Sequence, residues 1–165
     1  MPRPILNLAD VEFHDWGHGE RYAARLGDIG RRLGAQKLGY NLTVLPPGKR
    51  AFPFHSHRVN EEMFFVVAGT GELRLGGERH PIRAGDVIAC PPGGKETAHQ
   101  IINTSPDAEL RFLAVSTRQT PELAEYPDSG KYAVFTDISV GGGPERPLRF
   151  VMRKPASMED YWEGE

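Results

Sequence analysis

At 165 residues the chain suffices for one domain with a single core, and 20 lysines and arginines against 22 aspartates and glutamates leave a net charge of −2. That balance excludes the strongly basic surface of a nucleic-acid or anionic-membrane binder, so the expected partner is a small molecule. The only cysteine, Cys90, rules out an internal disulfide and suits a reducing compartment. No apolar run approaches the roughly 18 residues of a membrane span, and MPRPILNLADVEFHDW has neither an apolar signal core nor a basic leader, which makes cytoplasm the expected address.

Glycine and proline fall between short β-branched runs instead of in one block, a distribution that predicts an all-β chain, closed or two-sheeted. Residues 1–35 read as an N-terminal arm, with ILNLADVEF an edge strand and His14, Trp16 and His18 of FHDWGHG a small aromatic cluster placed to cap the molecule or its neighbour. RYAARLGDIGRRLGAQ reads as irregular, because Gly27, Gly30 and Gly34 each cost a helix up to about 1 kcal/mol relative to alanine; Arg21, Arg25, Arg31 and Arg32 read as a solvated surface. Residues 36–118 carry the regular pattern. KLGYNLTVLPPG alternates Leu38, Tyr40, Leu42 and Val44 on one face, ELRLGGERHPI is a hairpin turning at Gly76 and Gly77 with His80 on the surface, and AELRFLAVST is a buried strand. Residues 119–165 read as an extension packed on the rest: TPELAEYPDSGK is loop-like, and VGGGPERP and DYWEGE wrap the outside.

Two segments carry chemistry. In GKRAFPFHSHRVNEEMFFVVAG an extended backbone points His55 and His57 the same way, roughly 6–7 Å apart along the strand. RVNE is short enough for a hairpin that brings Glu62 back to their face, and alternation groups Glu62 with Phe64 and Val66 and turns Glu61 away. In GDVIACPPGGKETAHQIIN, His99 follows a turn and opens an apolar strand, completing three nitrogens and one oxygen that leave positions open on one divalent ion. Mn, Fe, Ni, Cu and Zn all suit such a set. Cys90, beside Pro91, reads as a small core residue.

These segments resemble the paired motifs of the cupin superfamily, HxHx4Ex6G and Gx5PxGx2Hx3N. Two spacings depart: six residues separate Gly48 from His55 where five are usual, and five separate Gly93 from His99 where two are usual, which reads as a turn enlarged by Lys95, Glu96 and Thr97. The resemblance implies a double-stranded β-helix, a jelly-roll barrel, with His55, His57, Glu62 and His99 as metal ligands. LGAQKLGYNLTVLPPGK, LAVSTRQTPELAEYPDSGK and DYWEGE look like a group of small bacterial single-domain cupins described as sugar-phosphate isomerase-like. The implied function is metal-dependent handling of a small polar molecule by an isomerase-like enzyme; the alternatives are a metal-dependent oxygenase and a non-catalytic ligand-binding module. Tyr40, Phe64 and Phe112 are the candidate pocket residues, and Lys37, Arg50, Lys95 and Arg111 the candidate phosphate contacts. An extra edge strand in the arm implies a homodimer formed by strand addition.

Overall fold

The computed structural model describes residues 4–136, 148–153 and Trp162. VGGGPERP and, Trp162 aside, the DYWEGE tail lie outside the described residues. Thirteen strands follow in chain order: β1 (His14–His18), β2 (Tyr22–Asp28), β3 (Leu38–Leu45), β4 (Ser56–His57), β5 (Glu62–Ala68), β6 (Thr70–Leu75), β7 (Glu78–Arg83), β8 (Val87–Cys90), β9 (His99–Ile102), β10 (Leu110–Thr117), β11 (Glu122–Tyr126), β12 (Lys131–Thr136) and β13 (Leu148–Arg153).

One wall is an antiparallel sheet in the order β1-β2-β3-β10-β5-β8. The other is made of two smaller sheets, β13-β12-β11-β4 and β7-β6-β9. An isolated antiparallel bridge between His55 and His99 joins these two into a continuous surface. Leu45, Phe64, Val66, Leu110 and Phe112 from the first wall pack against Leu73, Ile82 and Ile101 from the second, and this shared cluster is the core. The all-β jelly-roll expectation holds.

Several local expectations are corrected. ILNLADVEF is not a strand but holds a short 3₁₀ turn at Leu8–Asp10. The edge strand is instead β1, which contains His14, Trp16 and His18 and is exposed along its whole length. YAARLGD, read as irregular, is β2. Its Gly27 is no helix breaker: a Cβ there would stand 2.1 Å from Val11 Cγ1, so the glycine lets the arm lie flat on the sheet. TPELAEYPDSGK contains β11 and the turn into β12. Two inward positions of β11, Glu122 and Ala124, are buried, and the polar one hides the usual apolar alternation.

β3 is covered on both faces, so alternation alone does not say which face is inner. Tyr40 and Leu42 pack outward against Val11 and Ile29 of the arm, whereas Asn41 looks into the barrel and Leu45 joins its core. The face chosen from the sequence as the core face is therefore the one beneath the arm. The connection RVNE also differs from the expected hairpin. β4 pairs with β11 and β5 pairs with β8 and β10, so Arg58–Glu61 cross from one wall to the other.

Asn103 is fully buried at the end of β9 and fastens the walls: its amide donates to Leu45 O (2.9 Å) and Ala108 O (2.8 Å), and its oxygen accepts from Ser105 N (2.9 Å). Gly69 makes the sharp turn from β5 into β6 with φ +88°, and a Cβ would lie 2.4 Å from Glu109 O. Gly69→Ala combines a left-handed backbone penalty of about 1–2 kcal/mol with a clash against main chain that cannot move aside. A loss of at least about 2 kcal/mol is expected in urea unfolding, whereas Gly77→Ala, where a Cβ meets open space, is expected to cost well under 1 kcal/mol.

Candidate metal centre

The four side chains come from three strands and one bridge. His55 and His99 are direct partners in the bridge, exchanging backbone hydrogen bonds of 3.2 and 2.7 Å. Such a pair holds its side chains on one face, and His57, two residues on from His55, shares that face by the period-two rule. Glu62, the first residue of β5, approaches from the opposite wall. The enlarged turn is real, built on Thr97 N→Gly94 O (3.2 Å) and Ala98 N→Lys95 O (3.3 Å). It closes at Ala98, so the extra length leaves the register of His99 untouched.

All three imidazoles direct Nε2 at one carboxylate oxygen. Glu62 Oε2 lies 2.8 Å from His99, 3.5 Å from His57 and 3.8 Å from His55. Donor atoms of His55, Glu62 and His99 fall within 4.8 Å of one another. Bonds of about 2.0–2.2 Å to an ion set neighbouring donors roughly 3–3.5 Å apart, so these three donors are near the spacing of a divalent transition-metal site; His57 falls outside this group, although its Nε2 lies 3.5 Å from Glu62.

The tautomers agree with that fit. Nδ1 of His55 faces Pro53 O at 2.8 Å and Nδ1 of His99 faces Thr97 O at 3.2 Å. A carbonyl only accepts, so each Nδ1 carries the proton and each neutral ring turns its Nε2 lone pair inward. For His99 that lone pair would meet a carboxylate oxygen, a contact that requires a proton or a cation on Nε2. His57 is more exposed to the same argument: both ring nitrogens are buried without a hydrogen-bond partner. A buried imidazole with two unsatisfied nitrogens is costly unless something else occupies it.

Burial, reinforced by the adjacent His99 ring, pushes His55 down to about 4 despite Glu62. For His57 burial pulls the same way, but the Glu62 carboxylate and Glu122 outweigh it and raise it. Burial alone would lift the Glu62 carboxyl, yet His57 and His99 hold it well below the usual carboxylate range. Cys90, the register partner of Glu62, is pushed up to about 12 by burial and then by that carboxylate, which leaves an inert core thiol. Glu61 is exposed and turned away, and His80 sits on the surface beside Glu78.

Glu122 was missed by the sequence reading. It is 5% exposed, and its carboxylate accepts the backbone amides of Arg58 (3.0 Å), Val59 (3.2 Å) and Asn60 (2.7 Å), together with the Asn60 side-chain amide. Its Oε2 also stands 3.7 Å from His57 Nδ1. One carboxylate thus holds the crossing between His57 and Glu62 and lies behind the His57 ring. The only signal in the sequence is an acidic residue at an inward position of a short strand.

A cavity of about 190 Å³ opens on the cluster. Phe52, Phe64 and Phe112 line it with Ala51, Ile101 and Ala114, and the carboxamides of Asn41 and Gln100 add polar groups. The Phe64 ring lies 5.6 Å from His99 and meets Phe112 edge-on at 5.7 Å. Two of the three expected pocket residues are therefore here. Tyr40 is not: it packs under the arm and lines a separate depression. None of the expected phosphate contacts lines the cavity; Arg111 pairs with Glu109 on the outside.

A profile of the family described as "Cupin domain" matches residues 41–116, and the protein described as polyketide synthase CurC from Streptomyces cyaneus is 30% identical over 123 residues, 70% of this chain and 77% of that one. The chain belongs to the cupin family. Among solved structures, a sugar phosphate isomerase from a cupin superfamily of Silicibacter pomeroyi aligns with a TM-score of 0.76 at 26% identity, covering 96% of this cupin and 98% of that chain. The polyketide cyclase RemF from Streptomyces resistomycificus shares the fold, with a TM-score of 0.56 at 22% identity over 72% of this chain and 82% of its own. Among the described residues of this cupin, no helix is long and apolar enough to cross a membrane.

Proposed function

We propose that this cupin is a metal-dependent enzyme of isomerase type, in which His55, His57, Glu62 and His99 hold one divalent transition-metal ion. The observation that carries the reading is the convergence of three Nε2 atoms on Glu62 Oε2 around a His57 ring that has no other hydrogen-bond partner. The ion supplies Lewis acidity toward a carbonyl or hydroxyl oxygen. The chain supplies the rest: Phe64 and Phe112 exclude water, and Asn41 and Gln100 orient the ligand. Gln100 is itself fixed, donating to Phe52 O at 2.7 Å. The match over nearly the full length of a chain described as a sugar phosphate isomerase supports the isomerase reading. Incubation of the metal-loaded protein in deuterated water with a panel of small hydroxy-carbonyl compounds tests it. Deuterium uptake at carbon that is lost after chelation supports isomerisation, and no uptake on any compound removes it.

The apolar lining favours a second reading, a metal-dependent oxygenase acting on a hydrophobic carbon skeleton. Oxygen consumption by the iron- or copper-loaded protein, without deuterium uptake, would select it. We further propose a cytoplasmic homodimer, supported by the buried thiol of Cys90 and by β1, an exposed edge of the larger sheet that a second copy can extend. Light scattering is expected to return about twice the 18.3 kDa chain mass.

A further inference from the structure

The metal cluster has two sides. His57 and Glu62, which border the apolar cavity, also border a second cavity of about 280 Å³ between the 116–120 segment and the sheet of β11, β12 and β13. Its lining is of opposite character, including Arg118, Arg149, Ser116 and Thr120.

Arg25, Arg58, Arg74, Arg79 and Arg111 each sit on a carboxylate. Arg21, Arg50, Arg83, Arg118, Arg149 and Arg153 form no ion pair with a described carboxylate, and of these Arg118 and Arg149 line this cavity, which they share with two carboxylates. The guanidinium carbon of Arg149 lies 5.6 Å from the centre of the Phe135 ring. The cavity's carboxylates are already engaged: Glu122 by three backbone amides and Glu62 by the imidazoles. Among the described residues no carboxylate takes the guanidinium forks, and the Ser116 and Thr120 hydroxyls add donors with no hydrogen-bond partner there.

We propose that this second cavity is an anion subsite, in which Arg118 and Arg149 bind the carboxylate or phosphate group of a ligand whose neutral oxygen-bearing carbons reach the metal centre. The proposal deepens the reading of the metal site and rests on it for the charge balance: a divalent ion and two guanidinium groups outweigh Glu62 and Glu122 by two charges. It also accounts for an apolar cavity whose described lining contains neither lysine nor arginine.

Calorimetric titration of the full chain with inorganic phosphate and, separately, acetate tests the subsite, with metal content measured on the same samples. At least one anion is expected to bind saturably, and the tighter one names the ligand's charged group. Arg118→Gln and Arg149→Gln are each expected to weaken binding about tenfold or more, the cost of a charge-assisted hydrogen bond. Arg111→Gln, on the outer surface, should match the parent, and metal content should not change in any variant. Binding by neither anion, or binding indifferent to both arginine variants, overturns the proposal. If arginine-dependent binding persists in protein that takes up no metal, the subsite stands and the metal reading falls; if metal is bound and the arginines do not matter, the reverse holds.

Discussion

Glu62→Gln is expected to reduce divalent-metal affinity by more than the roughly 10–100-fold that follows loss of an outer partner of a ligand. Three imidazoles point Nε2 at the oxygen it alters, at 2.8, 3.5 and 3.8 Å. The amide keeps the shape, removes the negative charge, and places an N–H₂ or a weaker neutral donor oxygen among lone pairs. The consequence is also visible in stability. A ligand at about 100 times its Kd stabilises the folded state by about 2.7 kcal/mol, which for a chain of this size is a melting shift of roughly 5–10 °C. Parent protein should show such a shift between chelated and metal-loaded samples, and Glu62→Gln should lose most of it. Glu61→Gln, one residue away on an exposed position, should behave like the parent. Equal metal-induced shifts in all three proteins would count against Glu62 as a ligand.

Glu122→Ala is expected to destabilise the fold by about 2–4 kcal/mol, because it leaves the amides of Arg58, Val59 and Asn60 without their acceptor. The effect should not stop at stability. The released segment is the one that delivers His57 and Glu62 to each other across the barrel, and Glu122 also lies behind the His57 ring. In the fraction that remains folded, metal affinity should therefore fall by about 10–100-fold. Urea unfolding reads the first effect, and competition with a coloured chelator at low temperature reads the second. A stability loss with unchanged metal affinity would reduce Glu122 to a structural clamp.

The candidate cluster was legible in the sequence because its spacing is geometric. His55 and His57 sit two apart on an extended segment, and Glu62, Phe64 and Val66 alternate on β5. What was not legible is how the strands meet. RVNE looks like a hairpin connection, but a four-residue link between strands also suits a crossing between walls. Only Glu122, sixty residues after Glu62, decides between them. The pairing of His55 with His99 is equally non-local. Tyr40 failed as a pocket residue for a related reason: the apolar face of β3, with Tyr40, Leu42 and Val44, includes the part the arm covers, while the inner face carries Asn41 and Thr43 beside Leu45, so period two picks the apolar face without saying that it is the outer one. The arm itself was misread where Gly27 packs against Val11, since a glycine in a strand marks close approach as readily as it marks a break in a helix.

Four side chains from opposite walls are expected to hold one cation. Crystals of protein prepared without chelator, measured at the absorption edge of whichever metal fluorescence detects, test it most directly. One anomalous peak is expected per chain, within about 2.0–2.3 Å of Nε2 of His55, His57 and His99 and of a Glu62 carboxylate oxygen. A clean map at that point, with the His57 ring turned to an ordinary hydrogen-bond partner, would contradict the account.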